Sequence, residues 1–164
     1  MAYSSTKKKS SGIVQISICI LTVILVVLII AMMMIVSSIQ GTARIVNYAG
    51  LVRGKTQRIV KFEISGKQED DMIQEIESFI DGLRNGNKEL NLVRLEDSDF
   101  QTKMEELNEY FLMLKQEIMQ VRAYGADKTQ ILSKSEHFFE ICDEATGLAE
   151  VYSQRKASSL SVLE

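Results

Sequence analysis

The chain has 164 residues, 46% hydrophobic and 7% aromatic, with no proline, no tryptophan, two cysteines and a net charge of −3. That length has room for one membrane helix and one domain of ordinary size, and the absence of proline lets any helix run unbroken. An aliphatic, methionine-filled core suits a helix bundle better than a β-sandwich.

The N-terminal tip, residues 1–11, is rich in Ser and Lys, with Lys7, Lys8 and Lys9 and no acidic residue before them. From Ile13 to Val36 the sequence is almost entirely Ile, Val, Leu and Met, interrupted by Gln15, small polar residues and Cys19. At about 1.5 Å per residue this run spans a hydrocarbon core of about 30 Å. We read residues 12–36 as a transmembrane helix, because a secretory leader has an apolar stretch of only about 7 to 15 residues. The positive-inside rule keeps the lysine tip in the cytoplasm. A single-pass cell-membrane protein follows, with residues 37–164 outside. The tip is too short to hold a kinase, cyclase or DNA-binding output.

Net charge conceals a division within the outer part. Residues 37–164 carry 16 basic and 22 acidic side chains, but residues 39–65 hold Arg44, Arg53, Lys55, Arg58 and Lys61 against Glu63 alone. A first helix of charge +4 thus sits on a domain whose remainder carries −10, an asymmetry that asks for a partner. Lipid headgroups account for Arg44. Arg53 lies 17 residues beyond Val36, about 25 Å from the membrane edge on a straight helix.

The first helix is expected to continue out of the membrane to about Ile64 and to close at Ser65-Gly66, where glycine takes the left-handed turn. The second starts in Glu69-Asp70-Asp71, favourable at a helix N-terminus, shows Met72, Ile76, Phe79, Ile80 and Leu83 on one face, and stops at Gly86. A loop of about eleven residues follows, with Leu90, Leu92 and Val93 expected to tuck under the bundle. Ser98 is placed to cap the third helix. There Phe100, Met104, Leu107, Phe111, Leu114, Ile118 and Val121 alternate four- and three-residue steps without a miss. Gly125 ends it. The fourth runs from about Lys128 to the C-terminus and repeats the alternation in Phe138, Cys142, Ala145, Ala149 and Tyr152.

Four helices with short connections form an all-α, up-down-up-down antiparallel four-helix bundle, here continuous with the membrane helix. A second span is expected beyond Glu164. Without it the chain is either a piece of a larger receptor or a bundle hung from one anchor. Cys19 is within the membrane helix, so no intramolecular disulfide staples the outer domain, and Cys142 is expected to pack as a small core side chain.

On a helical wheel at about 100° per residue, Ile45, Ala49, Val52, Thr56 and Ile59 form one stripe facing the bundle's own core. A second stripe, about 100° round, holds Val46, Gly50, Arg53, Gln57, Val60 and Ile64. It is apolar at both ends and small or polar at its centre, like an interface with a polar pocket. Gly50 costs about 1 kcal/mol relative to alanine inside a helix, which close approach of two backbones would justify. Across a two-fold axis Arg53 meets its own copy. Two guanidinium groups about 6 Å apart repel by roughly 3 kcal/mol at an effective dielectric near 20, so an anion between them would relieve the dimer. A planar oxyanion or a carboxylate suits the guanidinium fork. The alternative is that Arg53 reaches water or pairs with an acidic residue of another helix.

Asn47-x-Ala49-Gly50-x-x-Arg53-x-x-x-x-Arg58 resembles the periplasmic signature of bacterial nitrate/nitrite sensor kinases and of the related N-terminal domain of type IV pili methyl-accepting chemotaxis transducers. The wider pattern, one span leading into a four-helix sensor, covers residues 12–164. The resemblance implies that Arg53, helped by the backbone at Gly50, holds a small anionic ligand between two subunits, with Arg58 in support; Asn47 of the motif and Gln57 of the second stripe complete the candidate ligand-binding set. Gly54 and Lys55 depart from the nitrate sensors, and Thr56-Gln57-Arg58 is closer to the pilus-transducer version.

Enzyme readings find little support. His137 is the single histidine, and although Glu136 and Glu140 flank it, no second His or Cys joins it at ligand spacing. The chain has neither a phosphate-cradling glycine loop nor a nucleophile elbow, and Asp143-Glu144 is expected to be a solvated face. No cofactor is called for, and an acidic domain outside the membrane has no use for nucleic acid. The expectation is therefore a non-enzymatic, ligand-sensing input module of a bacterial transmembrane receptor, a homodimer binding a nitrate-like oxyanion or a carboxylate. The alternative is a single-span helical scaffold of the cell envelope whose third helix offers a coiled-coil face.

Overall fold

The computed structural model describes residues 5–125 and 128–161. Residues 1–4 of the expected cytoplasmic tip, and the side chains of Lys7, Lys8 and Lys9, lie outside the described residues. The described residues form four helices: α1 (Ser5–Ile64), α2 (Asp70–Asn85), α3 (Ser98–Tyr124) and α4 (Lys128–Ser161). No strand occurs among the described residues, where the one pairing of extended type is the isolated bridge between Asn87 and Leu92.

The chain divides into two compact units, one up to Ser38 and one from Ile39 onward. In the first, α1 is long and apolar enough to cross a membrane, and its Ile, Val, Leu and Met side chains from Ile13 to Met34 are exposed. Such a surface is stable in hydrocarbon and costly in water.

The second unit is the bundle. Its core takes Ile45, Ala49, Val52 and Ile59 from α1, with Thr56 in the same row, so the first stripe of the wheel is buried as expected. All seven periodic positions of α3 are buried, as are Phe138, Cys142, Ala145 and Ala149 of α4, with Tyr152 packed against them. On α2 the buried row is Ile73, Ile76, Phe79, Ile80 and Leu83, and Met72 lies at its edge.

The helix ends explain the turns. After α1, Lys67 N–H donates to Phe62 O and Gly66 N–H to Glu63 O, with Gly66 at φ +80°, the paired bonds of a Schellman closure. Gly125 closes α3 in the left-handed region through one bond to Val121 O. Asp97, not Ser98, caps α3: its carboxylate accepts from Phe100 N–H at 3.0 Å, and Ser98 is already helical. In the α2–α3 loop Leu92 and Leu95 go inward and Leu90 packs beside them, whereas Val93 is exposed. The turn at Asn87–Leu92 is closed by two backbone hydrogen bonds.

Ion pairs at the two ends show the up-down-up-down order. At one end Arg122 of α3 holds Glu63 of α1 and Asp70 of α2, and Lys128 of α4 donates to Ile64 O. At the other, Arg84 of α2 pairs with Glu105 of α3, and Arg155 of α4 faces Asp97.

Candidate functional site

Each flank of α1 meets a neighbouring helix. Toward α2, Tyr48 packs edge-on against Phe79 at 4.9 Å and Lys55 pairs with Glu75 at 2.6 Å. Toward α4, Arg53 pairs with Asp143 and lies over the Phe139 ring, 4.8 Å from its centroid. Phe139 and Asp143 are four residues apart, so both rise from the same face of α4.

Arg53 therefore has a carboxylate partner within its own subunit, which is the alternative the sequence left open for it. Its side chain remains 39% exposed and that of Asp143 50%. Nη1 makes the bond to Asp143 Oδ1, and the opposite edge of the guanidinium has no hydrogen-bond partner among the described residues. Asp143-Glu144 is consequently not a plain solvated face. Asp143 binds Arg53, and Glu144 binds Lys103 at 2.6 Å. Lys103 also bonds Glu106, and these carboxylates hold its ammonium above the ordinary lysine range.

The rest of the second stripe is half-buried: Val46, Gly50, Gln57 and Ile64 are partly covered and Val60 is fully so. Gly50, Arg53 and Gln57 share this face. Asn47 and Arg58 lie elsewhere, about 120° and 140° round the helix from Arg53. Both are exposed, and the Arg58 guanidinium rests 5.2 Å from the ring centroid of Phe62 on its own helix. Outside its own helix, Gly50 has no described atom within 4 Å of where a β-carbon would stand. The close approach that would explain this glycine is not made within the subunit.

Beneath the ion pair lies Cys142, buried in the core. Its thiol is pushed up to about 12, by burial first and by the Asp143 carboxylate, with Arg53 acting the other way. His137 is exposed, bonded to Glu140 at 3.0 Å and edge-on to Tyr110. No group of three or more His, Cys, Asp or Glu side chains among the described residues is placed to hold a metal ion.

Phe139 and Asp143 were not legible in the sequence as the partners of Arg53. Their one sequence signal is that they flank the core positions Phe138 and Cys142, which places them at the border between core and solvent. Which helix they border is settled only by the packing.

The ligand-binding domain of the P. aeruginosa nitrate receptor McpN shares this fold, with a TM-score of 0.61 over 67% of this chain and 96% of that domain, at 18% sequence identity. No protein-family model and no curated protein matches the chain.

Proposed function

We propose that the chain is the ligand-sensing input module of a bacterial transmembrane receptor, anchored by residues 12–36 with the bundle outside the cell membrane. In this reading Arg53 holds a small planar anion, a nitrate-like oxyanion or a carboxylate, where the α1 helices of two subunits meet. The observation that carries it is the face of α1 itself: a half-exposed guanidinium with an unpartnered edge, beside a glycine that nothing in its own subunit crowds. The fold shared with a nitrate receptor's ligand-binding domain supports the sensor class, and the basic charge of residues 39–65 supports an anionic ligand.

The mechanism is mechanical. An anion bridging two copies of Arg53 favours one relative position of the two α1 helices, and α1 is a single helix from Ser5 to Ile64, so a shift at Arg53 passes along it as a piston or a rotation. Calorimetric titration of the full chain in lipid nanodiscs with sodium nitrate, and separately with sodium acetate, tests the ligand. Arg53→Ala should weaken binding about 10- to 100-fold, the worth of charge-assisted hydrogen bonds. Binding unchanged by that substitution, or absent for both salts in the wild type and in variants that free Arg53 of Asp143, would refute the anion site.

A second reading, a scaffold that docks through α3, draws on the exposed Leu112, Met113 and Met119. The strict alternation that first suggested a coiled-coil face on α3 is used instead in the bundle's own core. The anion-sensing reading is therefore preferred.

A further inference from the structure

We propose that Asp143 is a built-in competitor for the anion: it occupies Arg53 in the empty state, lowers the affinity of the site, and ties α1 to α4 until the ligand displaces it. This inference rests on the anion-site reading above and assigns that site its regulation.

The geometry separates a fixed cation from a movable carboxylate. Phe139 covers one face of the Arg53 guanidinium and holds it beside α4, while Asp143 takes the Nη1 corner. The stack on Phe139 does not depend on Asp143. The Asp143 side chain is half exposed, so it can turn outward and recover its hydration at small cost. The neighbouring acids Glu140 and Glu144 of α4 have other partners, His137 and Lys103.

Charge balance sets the direction of the effect. Arg53 with Asp143 is neutral, and two such pairs across a two-fold axis are neutral as well. An incoming anion then meets no net attraction and is repelled by two carboxylates. The same balance removes the strain that two bare guanidinium groups would impose on an empty dimer. When the anion takes Arg53, Asp143 is released and the ion pair between α1 and α4 opens, leaving α1 free to shift against α4. Low affinity and mechanical release thus come from one carboxylate.

An exposed ion pair shifts an equilibrium by up to about fivefold, and two pairs by up to about 25-fold. Titrating the full chain in nanodiscs with sodium nitrate, we expect Asp143→Asn to bind more tightly than wild type, by up to about 25-fold. Asp143→Ser serves as the second variant should the first lose its helical circular dichroism, and Arg53→Ala/Asp143→Asn should bind no more tightly than Arg53→Ala alone. Tight binding by Asp143→Asn with none measurable in wild type would also support the inference, as a site masked by its own carboxylate. Binding by Asp143→Asn equal to or weaker than wild type, with Arg53→Ala still weakening it, overturns the competitor role and leaves the anion site standing. Tightening that survives in the double variant overturns the competitor role as well, because it does not act through Arg53. No binding of nitrate or of acetate by wild type, Asp143→Asn and Asp143→Ser overturns both readings.

Discussion

Thr56 stands in the middle of the core row of α1, 1% exposed, and its hydroxyl has no hydrogen-bond partner among the described residues. A buried, unpaired hydroxyl costs about 1–3 kcal/mol, so Thr56→Val should stabilise the bundle by about 1 kcal/mol, read as a higher urea midpoint with an unchanged slope. Cys142 gives a pH prediction with a definite sign. Its thiol ionises near its ordinary value of 9.0 in the unfolded chain but only at about 12 in the folded one. Between those values the unfolded state binds fewer protons, so stability falls as pH rises from about 9. Cys142→Ala should lower stability overall by roughly 1 kcal/mol through the lost sulfur, yet flatten the decline between about pH 9 and 10.5 in urea titrations. That window stops below the range where Lys103, whose raised pKa stabilises the fold until it deprotonates, begins to lose its contribution. Sequence periodicity placed both residues in the core. It could not tell that one would lack a partner, because the wheel gives a side chain's direction but not the atoms it meets.

At the scale of the helices, every position the four- and three-step alternation named on α3 is buried, and on α4 it found the main row but not Ile141, which is buried beside it, because burial on one stripe hides the apolar side chains from water. Departures cluster where backbone geometry decides instead: the cap at Asp97, the outward Val93, the inward Leu95. Glu63 is the most instructive element-level residue. In the sequence it is the lone acid in a basic stretch. In the fold its carboxylate, 3% exposed, receives two bonds from Arg122, which also reaches Asp70, so one guanidinium fastens the ends of α1, α2 and α3. These bonds hold Arg122 above the ordinary arginine range despite its burial. Glu63→Gln removes the charge and leaves Arg122 covered with only the exposed Asp70 as counter-ion. Breaking a buried pair this way costs about 3–5 kcal/mol. The retained pair with Asp70 places the expected loss near 3 kcal/mol, measurable as a lower urea midpoint, and a loss below about 0.5 kcal/mol, the range of an ordinary surface substitution, would mean the pair ties nothing.

At the scale of the molecule, fold and site were unequally legible because they rest on different physics. A bundle follows from periodicity along one chain, whereas the proposed site needs a second α1 and an ion pair between helices 90 residues apart in sequence. Gly50 connects the two scales and gives the sharpest test of assembly. Within one subunit a side chain at Gly50 meets open space, so replacing it should only improve the helix, by about 0.8–1 kcal/mol for alanine. In a dimer joined through this face a large side chain would hold the helices apart. With Cys19→Ser and Cys142→Ala as background, Gln57→Cys should form an oxidative cross-link to its own copy in nanodiscs, and nitrate should change the rate. Adding Gly50→Leu should abolish that cross-link while leaving thermal stability equal or higher. A cross-link that persists at full rate in Gly50→Leu, or that forms from Met119→Cys and not from Gln57→Cys, would move the subunit contact away from α1 and favour docking through α3. A stability loss in Gly50→Leu without loss of cross-linking would show that this glycine serves packing inside the subunit, contrary to the open space around it.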